Sequence, residues 1–360
     1  MHRLRMSLYG FAACFALAGL CTPLQAQASA AASMELPQMP LHDPFILAYK
    51  PTKTYYLYTS NVPMLTHVQR TGTMVYKSKD LKHWSAPEVV FTVPENFWAE
   101  NGGWAPEVHE YHGRFYLFTT LHNESKKIPQ PLPAGHDTYM RGTIIAVSDS
   151  PDGPFTPVKS DGPIPPADFM TLDGTLYIDR NARPWMVYAH EWLQKTDGTM
   201  EAVPLKNDLT SADGPPIFLF KASDAPWIDE QAVPSTSLSR YVTDGPELYR
   251  SKDGHLLMLW SSYEHTDEPG KSSYVQTIAR SASGELKGPW IQLPPLIHQD
   301  SGHGMLFHTF DGKLMLVLHR PFKRARGKLY DVRDAGDHLV IERERTDLDG
   351  DTSGQTNSAK

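Results

Sequence analysis

Five stretches of this chain share one pattern of polar and apolar positions: a polar residue beside Gly or Pro, an apolar run of strand length, a turn, and a second apolar run. They are HDPFILAY (42–49), WAPEVHEYHGRFYLFT (104–119), MTLDGTLYIDRNARPWMVY (170–188), DGPELYRSKDGHLLMLW (244–260) and GHGMLFHTFDGKLMLVLH (302–319). Aligned by residue type, the openings place Asp43, Glu107, Asp173, Glu247 and His303 at corresponding points, spaced by 64, 66, 74 and 56 positions. In four of them a turn rich in Gly, Asp or Asn leads into the second run; in the first, LAYKPTKTYYLYTS serves. Further segments (YKSKDLKHWS 76–85, VSDSPDGPFTPV 147–158, FKASDAPW 220–227, ARSASGELKGPWIQL 279–293) read as an outer strand, a Ser, Asp or Gly turn and an aromatic cap. Recurrence at this period predicts an all-β, five-bladed β-propeller in which every repeat gives one inner strand to a common axis. Twenty strands in about 300 residues leave roughly 15 for each strand and its connection, an ordinary allowance for strands of ~5–6 residues. A sandwich or other Greek-key sheet has similar strand spacing and is the alternative.

Composition adds detail without changing that outline. The 30 Pro and 25 Gly are spread along the chain and never cluster into a linker, and no amphipathic helix longer than three turns stands out. The N-terminus carries Arg3 and Arg5, an apolar run from Phe11 to Leu20, and small residues suited to cleavage after Ala26 or Ala28. This reads as a secretion signal over residues 1–28, so a secreted or periplasmic protein with no membrane segment after processing is expected. Both cysteines, Cys14 and Cys21, fall inside this leader. Cys21 raises a lipoprotein reading, but Leu20 stands where a small residue belongs. The propeller is expected over 34–338, and a polar, disordered tail over 342–360. The net charge is −7, and loss of Arg3 and Arg5 with the leader would make it more acidic. That excludes a basic nucleic-acid-binding surface and suits a neutral or weakly charged partner such as an oligo- or polysaccharide.

Four carboxylates and a histidine brought to one axis suggest bond-breaking chemistry. Cleaving a glycosidic bond needs one acid to protonate the leaving oxygen and a second carboxylate to activate water or attack directly. Glu247 follows Asp244-Gly-Pro, a tight entry that aims it inward, and has the reach for a glycosidic oxygen; Asp43, between His42 and Pro44, is shorter and better held. Asp173 is the third carboxylate and would raise the affinity of its neighbour for a proton by like-charge repulsion. His42, Trp104, Glu107, His303 and Arg320 are expected around the sugar. No HxH or HExxH spacing, phosphate loop, GxSxG elbow or dinucleotide fingerprint occurs, so the chemistry needs no cofactor.

These residues, in this order, resemble glycoside hydrolase family 43, whose members release arabinose or xylose units from plant polysaccharides. The likeness covers about 40 to 335 and rests on HDPFIL, WAPEVHEYHGRFYLF, LDGTLYID, DGPELYR, and GHG with LHRP. It implies a five-bladed propeller and an inverting mechanism, with Asp43 as general base, Asp173 as the pKa modulator and Glu247 as general acid. It also implies a sugar-pocket role for Trp104, a sugar contact for Arg320, and a calcium ion approached by His303. Asp244 stands where Glu is frequent in such motifs. The activity expected is that of an α-L-arabinofuranosidase or arabinanase. A β-xylosidase or galactofuranosidase is the alternative within the family, and a non-catalytic carbohydrate-binding propeller is the alternative of another class.

Overall fold

The computed structural model describes residues 33–129, 137–228, 241–265 and 272–349. The expected leader and the chain beyond Asp349 lie outside them. Twenty strands form five antiparallel sheets, each built from four consecutive strands. Blade I is β1 (Phe45–Tyr49), β2 (Thr54–Ser60), β3 (Gly72–Ser78) and β4 (Glu88–Thr92). Blade II is β5 (Asn101–Tyr111), β6 (Arg114–Lys127), β7 (Tyr139–Ser148) and β8 (Thr156–Pro157). Blade III is β9 (Thr171–Ile178), β10 (Pro184–His190), β11 (Thr199–Pro204) and β12 (Ile217–Lys221). Blade IV is β13 (Asp244–Arg250), β14 (Leu256–His265), β15 (Ser272–Ser281) and β16 (Trp290–Gln292). Blade V is β17 (Gly302–His308), β18 (Leu314–Arg320), β19 (Arg326–Asp334) and β20 (Leu339–Glu344).

The inner strands β1, β5, β9, β13 and β17 each touch the next, and β17 touches β1, so the sheets close into a five-bladed propeller. Closure leaves no long strand edge open around the axis. The second strand of each blade lies between sheets and is buried on both faces, as in PWMVYAH of β10, which explains their continuous apolar runs. The segment before β1 straps the ring shut. Leu41 N–H donates to the Ala325 carbonyl at 3.1 Å, Arg326 Nε donates to the Pro37 carbonyl at 2.8 Å, and Met34 pairs with Trp84 of blade I. At the other end, residues expected to be disordered from 342 onward are ordered as far as Asp349. Glu342 to Glu344 complete β20, Arg345 pairs with Asp331 at 3.1 Å, and Lys328 bonds the buried Asp349.

One local irregularity recurs in four of the five inner strands and decides which side chains meet at the axis. Trp104 pairs with Thr120 but Glu107 with Phe118; Leu172 pairs with Ala189 but Thr175 with Val187. Asp244 pairs with Ser261 but Glu247 with Leu259; Gly302 pairs with His319 but Met305 with Val317. Each is a β-bulge, three steps against two. The residue after its first pair is left-handed: Ala105 (φ 43°), Asp173 (56°), Gly245 (51°) and His303 (49°), with Asp43 (48°) equivalent ahead of β1. The true layers are therefore His42, Trp104, Leu172, Asp244 and Gly302 at the rim, then Asp43, Ala105, Asp173, Gly245 and His303. Phe45, Glu107, Thr175, Glu247 and Met305 lie two residues further along. A non-glycine residue in this conformation costs ~1–3 kcal/mol, and such strain gathers at functional sites.

Candidate active site

The extra bulge residue leaves backbone N–H groups outside the strand ladder, and neighbouring strands supply their acceptors. Asp173 N–H donates to Thr120 Oγ1 and Gly174 N–H to Thr143 Oγ1, each at 2.8 Å. His303 N–H donates to Ser261 Oγ at 2.8 Å and Gly304 N–H to Gln276 Oε1 at 2.6 Å. Buried donors left unpaired would cost ~1–3 kcal/mol each, so these partners fix the bulges.

The left-handed layer delivers Asp43, Asp173 and His303 to the axis, and Asp244 joins them from the rim. His303 Nδ1 lies 3.2 Å from Asp43 Oδ1, 3.6 Å from Asp244 Oδ1 and 3.8 Å from Asp173 Oδ2. Gly245 makes room for that ring: a Cβ there would stand 2.9 Å from His303 Cγ. Gly245 N–H also donates to Asp173 Oδ2 at 3.3 Å. Behind the carboxylates, Asp43 N–H donates to His319 Nδ1 at 3.2 Å, and Tyr274 OH donates to Asp244 Oδ2 at 2.5 Å.

The charges are strongly interdependent. Burial opposes the charge on His303, but Asp43, Asp173 and Asp244 outweigh it and hold the ring well above the usual histidine range, as imidazolium. Burial likewise opposes ionisation of Asp43, yet His303 and His319 hold it below the usual carboxylate range. Burial and then Asp244 push Asp173 well up; Asp244 itself is lowered, because bonds to Asp173 and His303 outweigh its burial. Asp173 and Asp244 therefore hold one proton between them, beside an ionised Asp43. The side chains of Asp43 and Asp244 keep 19 % and 20 % of their surface exposed, against 6 % for Asp173, so Asp43 and Asp244 are the carboxylates a ligand can touch. An ionised carboxylate facing a protonated pair is the equipment of general acid–base catalysis.

Of the residues expected here, Glu247 and Glu107 sit a layer too deep. Glu247 accepts Leu306 N–H at 2.8 Å; burial and Glu107 push its carboxyl well up, and no hydrogen bond or ion pair joins it to Asp43, Asp173 or Asp244 among the described residues. It lines a cavity of about 450 Å³ with Phe45, His109, Ile178, Leu248 and Met305. Glu107 is bonded to His109 Nε2 at 2.8 Å. Arg320 turns away from the axis, donating to Glu344 at 2.6 Å and to Tyr330 at 2.9 Å. Its neighbour His319, opposite Gly302, is the β18 residue that reaches Asp43, beside His303 of β17. His42 is at the rim with its ring 4.8 Å from that of His319. Trp104 is at the rim of blade II, its ring 4.9 Å from the Arg141 guanidinium. As for the calcium ion expected beside His303, such an ion takes six to eight oxygens. Asp173, Asp244 and His303 bring ligand atoms within 4.8 Å of one another, as do His42, Asp43 and His319, and these are the residues that would hold it.

The sequence marks Asp244 only as the start of the entry before Glu247, standing where Glu is frequent, and gives neither His319 nor Tyr274 a catalytic role. A signal for the first existed: every left-handed residue of the axial layer precedes Pro or Gly, in Asp43-Pro44, Ala105-Pro106, Asp173-Gly174, Gly245-Pro246 and His303-Gly304. Aligning on that dipeptide, rather than on acidic residues, places Asp244 at the rim and Glu247 below.

The propeller has counterparts among known proteins. The endo-arabinase from Bacteroides thetaiotaomicron VPI-5482 superimposes with a TM-score of 0.71 at 41 % identity, covering 86 % of this chain and 95 % of that one. An extracellular exo-α-(1→5)-L-arabinofuranosidase of Cellvibrio japonicus (strain Ueda107) is 23 % identical, over 84 % of this chain and 83 % of its own. An extracellular endo-α-(1→5)-L-arabinanase of Bacillus subtilis (strain 168) is 27 % identical over 49 % of this chain and 50 % of its own. The model for glycosyl hydrolases family 43 matches residues 37–351, from the strap before β1 to beyond β20, and the chain belongs to that family of glycoside hydrolases.

Proposed function

We propose that this chain is an inverting hydrolase of α-1,5-linked arabinan acting outside the cytoplasm, with Asp43 as base and Asp244 as acid. The observation that carries the reading is the pairing of two part-exposed carboxylates, one ionised and one sharing a buried proton, around a single imidazolium. Asp43 takes a proton from water as its oxygen bonds the anomeric carbon. The glycosidic C–O bond breaks, and the leaving oxygen takes, through Asp244, the one proton that Asp244 shares with Asp173, leaving both carboxylates ionised. This moves the acid from Glu247, one layer down, to Asp244 at the rim. The two Oδ1 atoms, 3.2 and 3.6 Å from one nitrogen, are at most 6.8 Å apart. That ceiling only touches the low end of the ~6.5–9.5 Å that admits water between two carboxyls, so the first anomer formed, and not this bound, decides between inversion and retention.

Arabinan is supported by the substrates in the relatives' names, and an extracytoplasmic site by the leader pattern and by two relatives named extracellular. Trp104 of blade II, His42 of blade I and Phe322 of blade V offer rings for a sugar chain to meet. Internal cleavage is favoured by the endo-arabinase relative at 41 % identity. The test is incubation with linear 1,5-arabinan, arabinoxylan and a nitrophenyl arabinotrioside, reading reducing ends, product sizes and, by proton NMR, the first anomer formed. Arabinan should yield a ladder of oligosaccharides with inverted anomers. Asp244→Asn should lose ~10²–10⁴-fold on arabinan but far less on the aryl substrate, whose leaving group needs no acid. If Glu247→Gln shows that selective loss and Asp244→Asn does not, the assignment is wrong.

A further inference from the structure

Two aromatic side chains stand stacked behind Asp244 and Asp43. Tyr274 comes from β15, the third strand of blade IV, and is fully buried; its hydroxyl donates to Asp244 Oδ2 at 2.5 Å while Asp244 Oδ1 faces His303. His319 comes from β18 of blade V and is also fully buried; its Nδ1 takes the Asp43 N–H at 3.2 Å and lies 3.3 Å from Asp43 Oδ1. The two rings are 5.6 Å apart and almost parallel, at 8°, with Phe322 against both at 5.1 and 5.7 Å.

Gly302 is what admits this pair. It holds the blade V rim position, where the other blades carry His42, Trp104, Leu172 and Asp244. A Cβ there would fall 2.2 Å from Tyr274 Cε1, 2.6 Å from Cδ1 and 2.9 Å from Ser261 Oγ. Tyr274 thus crosses from its own blade into the slot left bare by the next, and only from that slot does it reach Asp244.

We propose that Tyr274 and His319 are positioning residues for the hydrolysis, a stacked pair slotted behind Gly302 that fixes Asp244 and Asp43 relative to each other. The inference rests on the reading of Asp244 as acid and Asp43 as base. Without the phenol, Asp244 keeps its bonds to Asp173 and His303 but loses the hold on Oδ2 and swings about its side-chain bonds. Misplacement of a reacting group by ~1 Å is enough to cost ~10²-fold. The two halves of the pair serve different steps, so their loss should be told apart by the leaving group.

The experiment compares Tyr274→Phe, His319→Ala, His319→Gln and Gly302→Ala on 1,5-arabinan and the nitrophenyl arabinotrioside, with circular dichroism and melting curves as controls. Tyr274→Phe keeps the ring and deletes only the hydroxyl. It should lower kcat on arabinan ~10–10²-fold with KM within about twofold, and lower the aryl rate less than about threefold. His319→Ala should depress both substrates alike, because water must be activated in either case, and His319→Gln, which retains an acceptor for the Asp43 N–H, should recover part of the loss. Gly302→Ala should reproduce the Tyr274→Phe pattern, and the double variant should be no worse than either single one. Equal loss on both substrates in Tyr274→Phe, or arabinan kcat within twofold of wild type, overturns the proposal. Asp244→Asn separates the causes. If it is inactive on arabinan while Tyr274→Phe is unimpaired, the pair alone is refuted; if Asp244→Asn is itself unimpaired, the acid assignment falls and the pair with it.

Discussion

Arg141→Gln removes one partner of the most buried ion pair beside the site. Arg141 and Glu191 are 5 % and 6 % exposed, and Arg141 Nη1 donates to both Glu191 oxygens at 2.6 Å. The same guanidinium lies 4.9 Å from the Trp104 ring and 4.8 Å from Tyr139. Burial pushes the Glu191 carboxyl up even though Arg141 pulls it down, so without Arg141 it rises further. Stranding a buried carboxylate costs ~3–5 kcal/mol, which for a domain of this size is roughly 5–8 °C in Tm. The loss should depend on pH in a definite sense. An acid whose proton is bound more tightly in the folded chain stabilises fully below its unfolded pKa, and that contribution is lost as pH rises through the folded value. The variant's deficit is therefore smaller at pH 5 than at pH 8. Urea unfolding at both pH values checks this, and Arg141→Gln with Glu191→Gln should recover stability by removing the stranded charge. A deficit under ~1 kcal/mol at pH 8, equal deficits at both pH values, or a double variant worse than the single one would refute the reasoning. Loss of the cation–π contact, ~0.5–2 kcal/mol, should also raise KM for arabinan if Trp104 stacks on the sugar.

Gly245→Ala puts a methyl at φ +51° and 2.9 Å from His303 Cγ, so the imidazolium must shift. Activity should fall at least ~10-fold, and a wild-type kcat would show that the His303 position is unimportant. Glu247→Gln keeps the acceptor for Leu306 N–H and removes a carboxyl whose proton is held tightly by burial and by Glu107. That carboxyl stabilises fully below its ordinary ~4.3 and loses its contribution as pH rises through the folded value. The amide should accordingly raise Tm more at pH 9 than at pH 5 while leaving kcat on arabinan unchanged; a fall in kcat would return Glu247 to the chemistry.

The number of blades was legible because each repeat carries its own strand-turn-strand pattern of apolar runs and Gly or Asp turns. Asp43, Asp173 and His303 were legible because Pro or Gly follows each and the acid or imidazole is itself the left-handed residue. Blades II and IV mislead the same reasoning. There the left-handed residues are Ala105 and Gly245, and the nearest acids, Glu107 and Glu247, come two residues later on the same side of the strand, a full layer deeper. Arg320 misleads by parity, since the pairing of Gly302 with His319 sends Arg320 to the outer strands. The tail misleads by composition, since ERER alternates charge along β20, its Arg343 and Arg345 finding Asp331 and its Glu342 finding Arg333 on the neighbouring β19. Tyr274 has no marker at all, because its role depends on a vacancy in another blade.

A bulge shared by four inner strands separates what varies from what holds it. The backbone needs only a residue that tolerates the left-handed conformation and a Pro or Gly after it, so the side chain at that point is free to be acid, imidazole, methyl or hydrogen. The donors exposed by the bulge must still be met, and they are met by Thr120 and Thr143 of blade II and by Ser261 and Gln276 of blade IV. Blade II therefore anchors the acid of blade III, and blade IV anchors the imidazole of blade V. Asp173 and His303 each rest on the blade before their own, and the two blades with small residues in the layer, II and IV, are the ones that lend the support. Bare slots at Ala105, Gly245 and Gly302 leave room for His303 and Tyr274, so a compact site of three carboxylates and an imidazolium is assembled from five repeats without crowding the axis.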